Sequence, residues 1–179
     1  MTGRFIAIVG PSGVGKDSVM QALTTYDPRF QLVRRVITRP SDAGSEHFDS
    51  VDEATFFARK AAGEFALSWP AHGLHYAIPK HVDAQVQGGH DVLANLSRGV
   101  LAQAQARFER FAVIHLMASR DVLAQRLAAR DRETAAQIAK RLDRTVILPK
   151  GIIAHDIDNS GSLAQTVQSV MACLYPQRA

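Results

Sequence analysis

Apolar residues come along this chain in two rhythms. Arg4 to Val9, Asp91 to Leu96 (DVLANL) and Phe111 to Met117 are short, largely apolar runs rich in β-branched and aromatic residues, the pattern of strands buried on both faces. Between them lie amphipathic or Ala/Gln/Arg-rich stretches, Lys16 to Leu23 and Gly99 to Phe108, whose spacing suits helices. Strand and helix alternate, which predicts βαβ units and a parallel sheet.

From Arg34 to Pro79 the texture changes. An extended RRVITRP leads into a Gly/Ser/Asp loop at 41–46, then a helical DEATFFARKAAG behind a capping box at Ser50 and Glu53, then strand-like pieces around Phe65 to Trp69 and His75 to Ile78. We read 34–79 as a small lobe inserted into a single domain spanning 1–179. Residues 119–145 carry two Arg-studded helical patterns interrupted near Asp131, and a last strand (Ile152 to Ile157) and helix (Gly161 to Leu174) close the chain. Trp69 and the Phe56/Phe57 pair are expected to pack the lobe, and His115, on an apolar strand, to belong to the core.

Composition narrows the function classes. A chain of 179 residues, 46% hydrophobic and 21% charged, supports one packed domain and fits neither disordered nor fibrous classes. Its longest apolar runs end after seven residues, far short of the ~20 that cross a bilayer, and the N-terminus lacks a signal-peptide pattern. Cys173 is the only cysteine, so no internal disulfide and no cysteine-based zinc motif is available. The expected compartment is the cytoplasm, with no membrane partner. A net charge of +4 and a pI near 9.6 point to anionic ligands. The arginines are scattered and aromatics are only 7%, which suits small phosphorylated molecules better than nucleic acid.

The sharpest signal is GPSGVGKDS at 10–18, a GxxxxGK phosphate-binding loop placed directly after the first strand and opening a helix. Glycines there let the backbone fold around a phosphate with its amides turned inward, the helix N-terminus adds a positive dipole, and Lys16 reaches the β- and γ-phosphates. Gly10, Pro11, Ser12, Gly13, Val14, Gly15, Lys16, Asp17 and Ser18 are therefore candidate ATP-binding residues. Where this motif usually carries a Ser or Thr hydroxyl for Mg²⁺, the chain has Asp17. Its carboxylate is a hard oxygen ligand for the metal; the alternative is simple electrostatic support of a helix N-terminus.

A second set of anion-binding candidates, Arg34, Arg35 and Arg39 in RRVITRP with His72 and Tyr76 in HGLHYAIP, fits an acceptor site opposite the loop. Asn95, Ser97 and Arg98 should fall at the C-terminal end of a parallel strand, where open α/β sheets bind ligands; for Ser97, helix capping is the competing reading. Glu46 and His47, in the lobe's loop, are placed to meet sugar hydroxyls or to be merely solvated.

Taken in order, GPSGVGKDS, TRP, GEFALSW, HGLHYAIP, GHDVLANLSRG and RLAARDRE with IAKRL resemble the guanylate kinase branch of the nucleoside monophosphate kinases over essentially the whole chain. GKD, ITRP, HGLHYAIP and VLANLSRG are more similar to the ribose 1,5-bisphosphate phosphokinases of phosphonate degradation. The resemblance implies a three-layer α/β P-loop fold, mostly parallel, with the small inserted acceptor-binding lobe and a helical lid over about 119–145. It also implies ATP and Mg²⁺ as cofactors and a phosphorylated sugar as substrate, converted to 5-phosphoribosyl 1-diphosphate with release of ADP; a homodimer is compatible with it.

The departures from guanylate kinase are coherent. The resemblance puts Leu67 and Ile78 where that family reads guanine with an acidic residue and a hydroxyl, puts Asn95 and Ser97 at its paired aspartates, and puts Phe48 at a phosphate-gripping tyrosine. Arg39 and Tyr76 keep the acceptor-phosphate positions, with Arg35 beside them. It places Arg126, Arg130 and Arg141, and more weakly Arg144, at the lid over the transferring phosphoryl group, although Arg126 and Arg130 at i, i+4 also fit a solvated helix face. A guanylate kinase with an unusual base pocket and a catalytically silent binding module are the rival readings. Strong Mg²⁺ dependence is expected of ATP turnover, and Asp17→Asn should raise the Mg²⁺ concentration needed for half-maximal rate; turnover matching the unsubstituted protein across a Mg²⁺ titration removes the metal role.

Overall fold

The computed structural model describes residues 1–40, 47–129, 134–143 and 147–176. In chain order the elements are β1 (Phe5–Val9), α1 (Lys16–Tyr26), β2 (Phe30–Leu32), β3 (Val36–Ile37), β4 (Asp49–Ser50), α2 (Glu53–Ala61), β5 (Phe65–Ala71) and β6 (Leu74–Pro79). They continue with α3 (Val82–Gln87), β7 (Asp91–Asn95), a 3₁₀ turn (Arg98–Val100), α4 (Leu101–Arg107), β8 (Phe111–Met117), α5 (Arg120–Ala128), α6 (Ala135–Leu142), β9 (His155–Asp158) and α7 (Leu163–Leu174).

Five strands form an all-parallel sheet in the order β2-β7-β1-β8-β9. β1 holds the centre because its five residues are apolar on both faces and no more than 1% exposed. Alternation along it sorts the two cores. Phe5, Ala7 and Val9 enter one, with Val92, Ala94, Val113 and residues of α3 and α4; Ile6 and Ile8 enter the other, with Leu93, Ile114, Leu116 and the apolar faces of α1 and α7. Helices thus cover the sheet on both sides, the α/β P-loop layering implied by the sequence.

β3 to β6 make a separate four-stranded sheet in the order β4-β3-β6-β5. The β5–β6 hairpin turns on His72 and Gly73, with φ of 52° and 75°, the two left-handed positions of a type I′ turn. Leu67, Trp69, Tyr76 and Ile78 from this hairpin join the core on the β1 odd-residue side, which fixes the small sheet against the large one. Phe56 packs on Phe65 and His75 at ring separations of 5.0 and 5.6 Å, as expected of a lobe residue.

Three local readings are corrected. The cap of α2 is Asp52, whose side chain accepts from the Thr55 amide at 2.7 Å, and not a Ser50–Glu53 box; a carboxylate next to the helix start competes better for the free amides than a serine two residues further out. His115 is not a purely apolar core residue: its Nδ1 pairs with Asp156 on edge strand β9 at 2.8 Å. The last strand begins at His155, later than the Ile152 expected.

At the N-terminal end of the sheet, Asp91, 5% exposed, accepts from the Arg4 amide at 2.7 Å and from Arg4 Nε at 3.1 Å. The Tyr175 hydroxyl also donates to it, while Arg4 Nη1 donates to the Leu174 carbonyl at 2.7 Å. This cluster ties β1, β7 and the end of α7 together. Burial first, and then the bond to Asp91, raise the Tyr175 phenol above its ordinary value of 10.0. The folded protein therefore holds that proton more tightly than the unfolded chain, so the contribution is complete below about pH 10 and is lost as pH climbs through the folded value. Denaturant midpoints should fall over that alkaline window, and Tyr175→Phe should flatten the fall; an unchanged alkaline slope in the variant refutes the linkage.

Candidate active site

β1 ends at Val9, and the phosphate-binding loop runs from there to α1. Two glycines are required by geometry. A Cβ on Gly10 would stand 2.6 Å from the Leu116 carbonyl oxygen, and Gly15, at φ 95°, would put one 2.8 Å from Asn159 Nδ2. The ammonium of Lys16 folds over the loop and donates to the carbonyls of Gly10 and Pro11 at 3.0 and 3.2 Å.

The outer side of the loop is held by residues far away in sequence. Val14 O accepts from Asn159 Nδ2 at 2.7 Å and from Arg126 Nη1 at 3.0 Å, and Arg126 Nη2 donates to Asn159 O at 2.7 Å. The Asn159 amide is oriented in turn by Thr166, whose hydroxyl donates to Oδ1 at 2.6 Å. The turn carrying Asn159 is itself fixed: Ser160 donates to Asp158 from its hydroxyl and its amide at 2.6 and 2.9 Å. Those bonds, the hydroxyl's first, hold the Asp158 carboxyl below its usual range. Asn159, 4% exposed, is a residue that sequence reasoning missed; its place just after the last strand was its only local signal.

A cleft of about 730 Å³ opens beside the loop, reaching from Gly10, Pro11, Ser12 and Lys16 to the C-terminal end of β7 and the tip of the β5–β6 hairpin. Among the described residues lining it are four cations, Lys16, Arg35, Arg98 and Arg141, and no carboxylate. Arg35, 7% exposed, donates to the Asn95 carbonyl at 3.1 Å and lies 5.1 Å from the centre of the Tyr76 ring. Arg141, from α6, donates to Ser12 Oγ at 2.8 Å across the cleft. Arg98 donates to the Ile147 carbonyl at 3.3 Å.

The sequence candidates sort as follows. Gly10, Pro11, Ser12, Lys16, Arg35, His72, Tyr76, Asn95, Ser97, Arg98 and Arg141 meet at the cleft, joined by Trp69. Gly13, Val14 and Gly15 form the back of the loop; Asp17 and Ser18 occupy the exposed first turn of α1. Arg126 is engaged with the carbonyls of Val14 in the loop and Asn159 past β9, and does not line the cleft. Arg39 also stands off it, its guanidinium 4.3 Å from the centre of the Phe48 ring. Glu46, Arg130 and Arg144 lie outside the described residues. Ser97 precedes the 3₁₀ turn but makes no side-chain capping bond; its Oγ accepts from Trp69 Nε1 at 2.9 Å. Trp69, expected only to pack the lobe, therefore also faces the site.

Fold and loop together define a P-loop α/β domain of the nucleoside monophosphate kinase type. A crystal structure of guanylate kinase from Anaplasma phagocytophilum matches with a TM-score of 0.68 at 19% identity, over 97% of this chain and 85% of that one. No protein-family model matches the chain. Two curated relatives are nearer: the ribose 1,5-bisphosphate phosphokinase PhnN of Ruegeria sp. (strain TM1040) is 49% identical, covering 99% of this chain and 94% of its own. The protein of the same name from Pseudomonas fluorescens (strain SBW25) is 43% identical, covering 97% and 96%. The chain belongs to the ribose 1,5-bisphosphate phosphokinase family, as its motifs implied.

Removing the Asn159 amide loosens the loop's outer bond while leaving the acceptor side of the cleft untouched. Asn159→Ala should weaken ATP binding about 10-fold, somewhat more than one ordinary hydrogen bond because Val14 O and Thr166 both lose a buried partner, with the acceptor KM unchanged; calorimetric titration with ATP checks it.

Proposed function

We propose that this chain transfers the γ-phosphoryl group of ATP to ribose 1,5-bisphosphate, giving 5-phospho-α-D-ribose 1-diphosphate and ADP. The observation that carries the reading is the cleft: four cations and no carboxylate among its described lining residues, running continuously from the phosphate-binding loop to Arg35 and Arg98. Such a surface suits a donor and an acceptor that both present phosphate. An oxygen of the sugar's 1-phosphate attacks the γ-phosphorus, the bond from that phosphorus to the β,γ-bridging oxygen breaks, and ADP leaves. A phosphate oxygen is already ionised and needs no general base, which agrees with the lack of a carboxylate among the described residues lining the cleft. Rate enhancement then rests on alignment and charge neutralisation.

In this reading Lys16 and Arg141 bear on the transferring group from the loop and from α6, with Arg126 steadying the loop and Arg130 completing the lid. Arg35, Arg39, Tyr76, Asn95, Ser97 and Arg98, with Glu46, hold the acceptor. Asp17 is the chain's own ligand for Mg²⁺, a hard oxygen one position after Lys16. Among the described residues no group of three or more His, Cys, Asp or Glu is placed to hold a metal, so Asp17 would hold the ion together with the phosphates of ATP. Bound there, it supplies charge neutralisation and orientation of the triphosphate.

The guanylate kinase alternative meets an obstacle in the β5–β6 register. Leu67 and Ile78 face each other across the strand pair and are 1% and 0% exposed. Two buried aliphatic side chains leave guanine's polar edge without partners at that point, a penalty of about 1–3 kcal/mol for each unpaired group. Purified protein given Mg-ATP with ribose 1,5-bisphosphate, ribose 5-phosphate or GMP in parallel should release ADP with the bisphosphate alone, and phosphorus NMR should show a diphosphate at C1. GMP turnover would instead restore the guanylate kinase reading, and silence on all three favours a binding role.

A further inference from the structure

We propose that Trp69 and Ser97 act as one unit that recognises the sugar of the acceptor, Trp69 serving as the positioning residue for the Ser97 hydroxyl; this rests on the acceptor assigned above. Three features of the cleft lead to it.

An indole N–H only donates, so the 2.9 Å contact between Trp69 Nε1 and Ser97 Oγ has a fixed direction. Ser97 spends a lone pair on it and keeps its own hydrogen to give. A hydroxyl that already accepts is polarised toward donating, and this one is not drawn off into capping the 3₁₀ turn behind it. Ser97 thus stands in the cleft as an oriented donor, suited to a hydroxyl or phosphate oxygen of the ligand.

The indole is also a wall. Trp69 and Tyr76 are cross-strand partners whose rings stack at 5.6 Å with a 13° tilt; they are 6% and 8% exposed, and both line the cleft. Arg35, Asn95 and Arg98 line the same cleft. An apolar aromatic surface with donors around it matches a furanose ring, whose C–H faces are apolar and whose edges carry oxygens. Position along the strands matters as well. Leu67 and Ile78, the partners one step further along the same faces, are 1% and 0% exposed and do not line the cleft, so Trp69 and Tyr76 are the aromatic pair this hairpin presents to a ligand, beside Pro70, Ala71 and His72 at its tip.

The test uses Ser97→Ala, Ser97→Thr, Trp69→Phe and the double variant S97A/W69F, with both substrates titrated. We expect Ser97→Ala and Trp69→Phe each to raise the acceptor KM about 10-fold, the upper end for one hydrogen bond. The double variant should lose no more than either single one, because each removes the same linkage. Ser97→Thr, which keeps the hydroxyl, should stay within about 2-fold, and the ATP KM should stay within about 2-fold throughout, which an unspecific loss of folding would not allow. Trp69 is the chain's only tryptophan, so its emission offers a direct readout: ribose 1,5-bisphosphate should shift it in the unsubstituted protein, ADP alone should not, and Ser97→Ala should diminish the shift. Should Trp69→Phe fail to fold, Ser97→Ala and the emission titration decide. Active protein whose acceptor KM is indifferent to Ser97→Ala, or whose double variant multiplies the two losses, overturns the unit and leaves the proposed function standing; unsubstituted protein that does not turn over the bisphosphate overturns the function, and this proposal with it.

Discussion

A loop that turns its backbone amides toward phosphate must turn carbonyls the other way, into the protein, and those carbonyls need donors. In this chain the demand falls on Val14, whose oxygen takes bonds from Asn159 and Arg126. Much of the architecture serves to bring those two side chains there. β9 pairs with β8 and carries Asn159 just past its end; α7 supplies Thr166 to orient its amide; α5 supplies Arg126. Gly15 leaves this arrangement no room for a side chain, since a Cβ there would displace the Asn159 amide.

In the proposed function, chemical selectivity comes from a different piece, the β5–β6 hairpin. Its register sets Leu67 against Ile78 and Trp69 against Tyr76. The first pair is buried deep enough to seal the core and offers nothing to a base edge; the second reaches the cleft and offers flat aromatic surface. One two-residue turn at His72 and Gly73 fixes both, because shifting the pairing by one residue would send each side chain to the opposite face. Cations supplied by four separate elements or their flanks line the cleft, and in the proposed function they select anions: Lys16 at the head of α1, Arg35 ahead of β3, Arg98 in the 3₁₀ turn and Arg141 on α6.

Legibility in the sequence followed the range of the interactions. The α/β layering could be read because β1 is apolar at every position and β-strand periodicity is local. The phosphate-binding loop could be read because its glycines, lysine and helix start lie within nine consecutive residues. Membership of the ribose 1,5-bisphosphate phosphokinase family was legible in motifs spread over the chain. Asn159 was not, because its partner Val14 is 145 residues away and an isolated asparagine carries no pattern. The cap of α2 was misplaced for a smaller reason: Ser50, Asp52 and Glu53 all qualify chemically, and only the backbone shows which oxygen reaches the Thr55 amide.

By itself, then, the sequence determined that this chain folds as a parallel α/β domain with a phosphate grip after its first strand, since hydrophobic period and loop chemistry depend on neighbours along the chain. Tertiary structure decided which side chains share a space. It placed Arg126 on the carbonyls of Val14 and Asn159, drew Ser97 away from helix capping onto Trp69, and paired His115 with Asp156, because each of those contacts depends on distances between strands and helices that sequence spacing does not encode.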